Sequence, residues 1–216
     1  MYYKALTGSQ QLRINIATSD TDWSIITNDI RNKPIKCGND NFHYHLTTDF
    51  ISYVFDMQEF ANAWKGIVTL FSSPVLETEF SRYLLETREK LIASNLPRFG
   101  AILLDYAKIM SSQGNGKVKL GKQFPKRTVY AITFLNAYIN YAMKETTFEE
   151  AFKLSDELIE FCRGIKLQAI PYEIQMEKLK SMLAEAESLK WFYDKEPDLD
   201  AFNKIKNEMK ALLNIT

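Results

Sequence analysis

Cysteine is scarce in this chain, and the two that occur, Cys37 and Cys162, stand far apart in the sequence. Two distant thiols cannot build a disulfide framework or a zinc knuckle, so we expect both to be free in a reducing compartment. An excess of charge of one sign is also missing, because 27 basic residues balance 27 acidic ones. The overall charge therefore gives no sign of nucleic acid or membrane as a partner, although local patches can still do so.

Long apolar runs are missing as well. No stretch approaches the roughly 20 apolar residues that span a bilayer. The first residues, MYYKALTGSQQ, show neither the basic nor the apolar region of a signal peptide. We therefore expect a soluble, cytoplasmic protein without a membrane partner. Apolar residues still make up 46% of the 216 residues, enough for the core of one domain, or of one small domain with a helical appendage.

The spacing of apolar residues changes from strand-like to helical along the chain. Strands are predicted at 2–6, 20–27 and 42–55, the last because Phe, Tyr, His, Thr and Val dominate it. A helix is predicted to open at Asp56 and to end before Pro74. Further helices are predicted at about 77–93, 98–111, 127–143, 147–163, 171–193 and 198–213. The sequence thus predicts an α+β protein, with a small mixed β-sheet core at 1–75 and an α-helical C-terminal bundle at 76–216.

One segment, 111–127, is rich in glycine and in basic residues and contains no acid. It is either a solvated connector or a lysine-bearing loop of an active site.

A phosphate-and-metal pattern stands near the start of the chain. Gly8-Ser9 follows the first strand, and a turn of small residues presents backbone N–H groups that suit a polyphosphate. Asp20 and Asp22 begin the second strand two residues apart, so both carboxylates point to one face and can share a divalent cation. The alternative is an ordinary turn followed by two solvated aspartates.

A third acid is expected from a neighbouring strand, and Asp49 and Asp56 are the candidates. In the predicted strand, Asp49 shares a face with His43 and His45, whereas Asp56 has the opposite parity and suits a helix N-cap. Asp49 is therefore the preferred third ligand. The two histidines either line the nucleotide or acceptor pocket, form a metal pair of their own, or lie on the surface.

The stretch Gly8-Ser9…Ser19-Asp20-Thr21-Asp22-Trp23 resembles the signature of the DNA polymerase β-like nucleotidyltransferase superfamily. Within it the chain is most similar to the predicted nucleotidyltransferases of the RlaP/YcgL type from bacteria and phages. The segment from Asp49 to Phe60-Ala61-Asn62-Ala63-Trp64-Lys65-Gly66 is similar to the family's third-acid strand and following helix. Two features depart from the family pattern: Arg13 replaces its second glycine, and the third acid is about two residues further from the helix.

The resemblance implies a role for each of these residues. Gly8 and Ser9 would contact the β- and γ-phosphates, and Asp20, Asp22 and Asp49 would hold Mg²⁺ or Mn²⁺, with two ions expected. Lys126 would neutralise the triphosphate. Residues 1–75 would be the nucleotidyltransferase catalytic core and 76–216 a helical domain.

The implied reaction moves a nucleoside monophosphate from a nucleoside triphosphate (NTP, for example ATP) to a hydroxyl, with release of pyrophosphate. The acceptor is RNA (tRNA-like), protein or a small molecule. Two alternatives remain open: a catalytically silent nucleotide- or partner-binding module on the same fold, and a component of a toxin–antitoxin or defence pair.

Overall fold

The computed structural model describes residues 1–31, 33–56, 60–115, 125–144, 146–190, 192 and 194–215. Within them the chain forms two compact units, the first comprising Met1–Asn95 with Pro197–Thr216, the second Leu96–Glu196. The first unit contains a β-sheet with helices, and the second is helical. The α+β class and the helical C-terminal region expected from the sequence are therefore confirmed.

A four-stranded mixed sheet organises the first unit. Its strands are β1 (Tyr3–Thr7), β2 (Thr21–Thr27), β3 (Lys36–Cys37) and β4 (Asp40–Leu46). They lie in the order β1-β2-β4-β3, with β2 antiparallel to β1 and parallel to β4. The two central strands therefore begin at the same edge of the sheet. A short helix, α1 (Gly8–Gln11), follows β1 directly at that edge.

One face of the sheet is buried against α3 (Phe60–Phe71). Tyr3, Ala5 and Ile26 on this face are fully buried. The Tyr3 hydroxyl lies 3.0 Å from the carbonyl oxygen of Thr69 and 2.8 Å from that of Ser72, to which it donates. These bonds satisfy a buried hydroxyl that would otherwise be costly, and they fix the sheet against the helix.

The strand predicted over 42–55 is wrong beyond residue 46. After β4 the chain forms α2 (Thr47–Ile51) and then a π-helical turn (Ser52–Asp56). The buried residues of this stretch are Phe50, Ile51, Val54 and Phe55. Their spacing repeats after four residues, as it does on one face of a helix. The aromatic and β-branched composition favoured a strand, but burial on one helical face decided the structure.

The last helix of the chain belongs to the first unit. α4 (Glu79–Ser94) packs against α10 (Leu199–Leu212), which buries Phe202, Ile205 and Met209. The backbone N–H of Asp198 donates to the Ser94 carbonyl oxygen over 2.8 Å. The Tyr83 hydroxyl of α4 donates to Glu208 of α10, and Lys206 of α10 pairs with Asp56 of the π-helical turn. Apolar burial therefore brings the two ends of the chain into one unit.

These units do not coincide with the predicted ranges 1–75 and 76–216. The first unit extends to Asn95 because α4 packs with α3 and α10, and it includes the C-terminal residues. No sequence-local signal marks such a return of the chain, since the contacts join residues more than 100 positions apart.

The second unit consists of helices packed on a central helix, α6. Its helices are α5 (Leu96–Asn115), α6 (Pro125–Lys144), α7 (Phe148–Ala151), α8 (Asp156–Lys166) and α9 (Tyr172–Ser188). The helix predicted over 147–163 is divided, because Ser155 caps α8 by accepting from the Leu158 backbone N–H over 3.2 Å. Most of the glycine- and lysine-rich segment, 116–124, lies outside the described residues.

Aromatic side chains form the core of the second unit. Phe192 is fully buried, with its ring centroid 4.6 Å from that of Tyr138 and 5.7 Å from that of Tyr141. Offset and tilted ring contacts of this kind stabilise a core beyond the area they bury. Among the described residues, no helix combines the length and apolar character needed to cross a bilayer.

Candidate metal and phosphate site

The site lies where β1 ends and β2 begins. Thr7, the last residue of β1, pairs with Asp22 in the antiparallel register, and its hydroxyl donates to the Asp22 carbonyl oxygen over 3.2 Å. Gly8 and Ser9 follow Thr7 immediately as the start of α1. The predicted phosphate turn and the predicted metal aspartates are therefore neighbours in the fold, because antiparallel pairing places the end of β1 beside the beginning of β2.

Asp20 and Asp22 point toward the same side chain on the adjacent strand. The Asn41 amide nitrogen Nδ2 donates to Oδ2 of Asp20 over 3.0 Å and to Oδ1 of Asp22 over 3.2 Å. Asn41 lies opposite Asp22 in the parallel register of β2 and β4. The two carboxylates thus share one face, as their spacing of two residues predicts.

The two carboxylates differ in exposure. The Asp22 side chain is 11% exposed, and His43 Nε2 lies 3.3 Å from its Oδ1. The Asp20 side chain is 42% exposed, with Lys36 Nζ at 3.9 Å from its Oδ1. A contact between two exposed groups at that distance contributes little stability. Asp22 therefore forms the inner side of the site and Asp20 the side that faces solvent.

A tight turn in the loop between α1 and β2 positions Asp20. Ser19 Oγ accepts from the Ile16 backbone N–H over 2.9 Å, and the Ser19 N–H donates to the Ile16 carbonyl oxygen over 2.8 Å. Ile14 anchors the loop in the core at 1% exposure. Arg13 has a φ of 59°, a left-handed backbone conformation that favours glycine. Arg13 is also the position at which the family resembled by the sequence has glycine.

The structure removes the strand argument for Asp49 as the third metal ligand. The argument for Asp49 depended on strand parity, but Asp49 lies on α2. The other candidate, Asp56, ends the π-helical turn and pairs with Lys206. Within the described residues, no three or more side chains of His, Cys, Asp or Glu group together as a metal cluster. The role of Asp49 as third ligand stays a prediction without its original support.

Lys126, the predicted triphosphate-neutralising residue, belongs to the second unit. It lies in the first turn of α6, with Nζ 6.0 Å from the centroid of the Tyr130 ring. Its role at the phosphate also stays a prediction.

The two histidines of β4 occupy different environments. His43 is exposed and lies beside Asp22. His45 packs edge-on against Tyr53 with ring centroids 6.0 Å apart. Burial, and then the nearby charges of Lys65 and His43, lower the pKa of His45 to about 4. His43 is therefore the histidine of the candidate site, and His45 belongs to the packing of β4 on the π-helical turn.

Asn41 is the site residue that the sequence reasoning missed. Its signal is present in the chain, because Asn41 and His43 are two residues apart and must share a face if β4 begins at Asp40. The parallel register, which no local pattern reveals, then places that face beside Asp20 and Asp22.

Asp20 and Asp22, with the Asn41 amide between them, are the side chains that could hold one divalent cation. Asp20 and Asp22 supply carboxylate oxygens that converge on the Asn41 amide. A half-turn of that amide exchanges Nδ2 for Oδ1 and would present a third oxygen ligand. Oxygen ligands of this kind suit Mg²⁺, which keeps several waters and binds through one or two carboxylates together with substrate phosphates. A second ion would need a further carboxylate.

Comparison with protein-family models, with curated proteins and with solved structures finds no match to this chain.

Proposed function

We propose that the chain is a metal-dependent nucleotidyltransferase that moves a nucleoside monophosphate from an NTP to a hydroxyl acceptor. The observation that carries the proposal is the convergence of Asp20 and Asp22 on Asn41, directly beside the junction of Thr7 and Gly8. This juxtaposition puts a candidate cation site and a candidate phosphate turn at one edge of the sheet. The left-handed backbone at Arg13 is a second support, because it is the conformation that explains a glycine in the resembled family.

Each side chain has a defined role in this proposal. Asp20 and Asp22 hold Mg²⁺ or Mn²⁺, and Gly8 and Ser9 contact the β- and γ-phosphates. When bound, the cation neutralises the charge that develops on the triphosphate. Positioning and charge neutralisation are most of what phosphoryl chemistry requires of a protein.

The proposed reaction forms one bond to the α-phosphorus and breaks another. The acceptor oxygen bonds to the α-phosphorus, the bond from that phosphorus to the bridging oxygen of the β-phosphate breaks, and pyrophosphate leaves. The proton of the acceptor hydroxyl passes to solvent water, because His43 Nε2 faces the Asp22 carboxylate, which can only accept, and therefore serves there as a donor.

The test measures transfer and binding together. The protein is incubated with each α-labelled NTP, Mg²⁺ or Mn²⁺, and a host lysate that is then separated into RNA, protein and small molecules. Asp20→Ala and Asp22→Ala should lower label transfer at least 100-fold, since loss of a direct ligand exceeds the roughly 10–100-fold effect of outer-shell partners. They should also abolish the Mg²⁺-dependent rise in melting temperature caused by an NTP.

Asp40→Ala is the matched control. Asp40 precedes Asn41 on β4 and pairs with Thr21, so its side chain alternates to the other face of the sheet. This variant should keep both transfer and stabilisation. Absence of any stabilisation by millimolar NTP in the unmodified protein would refute the proposal.

A silent nucleotide-binding module is the second candidate, and one observation favours it. The strand position opposite Asp22 holds the amide of Asn41, which brings no charge to a metal site. Asn41→Asp separates the two candidates. A silent module should bind NTP and Mg²⁺ without transfer and should gain transfer in Asn41→Asp, whereas an active enzyme transfers label before the change.

A further inference from the structure

A long groove crosses the second unit between α8 and α9. Both helices pack on α6, and a groove of about 1180 Å³ lies between them. One face of α9 lines it from Ile174 to Glu185. Those residues span roughly 16 Å at 1.5 Å per residue, or about three helical turns.

The floor of this groove is apolar. Ile139 of α6, Leu158 of α8 and Met182 of α9 line it, each 7–9% exposed. Ile174 stands higher on the wall and is 48% exposed. An apolar floor with an exposed isoleucine offers area that a partner can remove from water.

The rim of the groove carries an excess of negative charge. Glu150 and Glu160 are neutralised by ion pairs with Lys153 and Arg163. Glu157 on α8, and Glu177 and Glu185 on α9, have no ion-pair partner among the described residues. Lys153 also lines the groove but pairs with Glu150, so among the described lining residues Lys178 is the lysine that opposes these three carboxylates. Unpaired carboxylates on both walls favour a cationic occupant.

The negative charge of the rim disfavours two other binding partners, a nucleic acid and a second copy of the chain. A nucleic acid would bring phosphates against the carboxylates of the rim, where its binding requires lysine and arginine. A second copy of the chain, docked by a two-fold axis through this groove, would place the same acidic rim against itself.

We propose that this groove binds an amphipathic helix of a partner protein, with its apolar face on the floor and lysine or arginine side chains against both walls. Recognition of an amphipathic helix in an apolar groove is a recurrent mode of peptide binding. The site is separate from the residues of the proposed transferase centre, which all belong to the first unit except Lys126, and it requires no catalysis.

The test uses the full-length protein and three fluorescent peptides of about 18 residues, roughly five turns. One is a leucine–lysine peptide with helical spacing, the second has glutamate in place of lysine, and the third has the leucine–lysine composition without periodicity. Fluorescence anisotropy at about 0.15 M salt, where charges are screened beyond roughly 8 Å, reports binding. The periodic basic peptide should bind at least tenfold more tightly than the other two.

Surface variants locate the binding on the protein. Glu177→Lys combined with Glu185→Lys should weaken the binding of the basic peptide about tenfold or more. Asp194→Lys, an exposed carboxylate of the same unit that does not line the groove, should change it less than twofold. Ile174→Asp should weaken binding about tenfold, whereas Leu167→Asp, also exposed and outside the groove, should not.

Several results would overturn the proposal. One is equal binding of the acidic or the aperiodic peptide, and another is unchanged binding by the Glu177/Glu185 variant. Concentration-dependent self-association that Ile174→Asp abolishes would assign the groove to a second copy, and binding of single-stranded RNA there would assign it to nucleic acid. Circular dichroism confirms that each variant is folded before its binding is compared.

Discussion

Arg13 shows how a single backbone angle limits the choice of residue in the loop before the candidate site. Its φ of 59° is in the left-handed region, where a β-carbon costs roughly 1–2 kcal/mol. The turn that follows brings Ser19 and then Asp20 to the edge of the sheet. The strained residue Arg13 therefore lies in the loop that positions Asp20, one of the predicted metal ligands.

Arg13→Gly should raise the free energy of unfolding by up to about 1 kcal/mol, because glycine adopts this angle without the steric cost, less its own entropy. Urea denaturation gives the difference. Arg13→Ala is the control, since it removes the guanidinium but keeps the β-carbon. Equal stability of the Gly and Ala variants would show that the angle carries no strain.

His45 should make stability depend on pH. Its pKa is about 4 in the folded chain, because burial disfavours the charged ring, and about 6.5 when unfolded. Between these values the unfolded chain binds the extra proton, so the free energy of unfolding falls as the pH falls from 6.5 toward 4. The slope reaches at most about 1.4 kcal/mol per pH unit.

His45→Gln removes this titration, and comparison of urea denaturation between pH 5 and 7 isolates it from the carboxylates that titrate lower. The variant should show a flatter profile than the unmodified protein. Identical slopes would mean that folding does not lower the pKa of His45.

At the scale of the elements, the close packing of α5 on the core depends on Gly100, which has no side chain. A β-carbon at Gly100 would lie 2.5 Å from Cγ of Phe192 and 2.7 Å from its Cβ. Phe192 is fully buried and in ring contact with Tyr138 and Tyr141. The close approach of α5 to this ring therefore requires glycine.

Gly100→Ala should lower the free energy of unfolding, because overpacking costs about 1–3 kcal/mol and the better helix propensity of alanine offsets only about 1 kcal/mol of this. Gly164→Ala in α8 is the matched variant. Its β-carbon would meet Ile170 Cγ1 at 2.8 Å, in a flexible side chain, so we expect a change within about 1 kcal/mol. Thermal denaturation compares the two, and a similar effect of both would contradict the packing argument.

At the scale of the whole molecule, the C-terminal helix completes the first unit. α10 buries Phe202, Ile205 and Met209, and the ring centroid of Phe202 lies 5.1 Å from that of Phe55. Burial of three large apolar side chains contributes roughly 5–9 kcal/mol as an upper bound. That is comparable with the roughly 5–15 kcal/mol stability of an ordinary domain.

Truncation after Glu196 should therefore unfold the first unit and expose its sheet. Loss of near-ultraviolet circular dichroism and rapid hydrogen exchange in β1 and β2 would show this. Truncation after Leu213 keeps the buried residues of α10 and serves as the control. A truncated chain that retains protected β-strand amides would contradict the role of α10.

The sequence predicted the features that depend on local spacing. Strands β1 and β2, the helices α4 to α6 and the nearness of Asp20 to Asp22 on one face all follow from the period of apolar residues and from strand alternation. The stretch after Leu46 was misread because its aromatic and β-branched residues suit a strand, while its burial follows a helix. The helix predicted to end at 163 continues as α8 to Lys166, and the left-handed residue beyond it is Gln168.

What the sequence by itself determined is the chemistry available at the start of the chain: a small-residue turn after one strand and two carboxylates at the start of the next. Only the tertiary structure decided which residues meet them. The parallel pairing of β2 with β4 put Asn41 and His43 beside Asp22, and the helical path of α2 removed the strand argument for Asp49. The reason is physical: alternation and helical period are local properties of the backbone, whereas strand register and the return of α10 are set by burial between residues far apart in the chain.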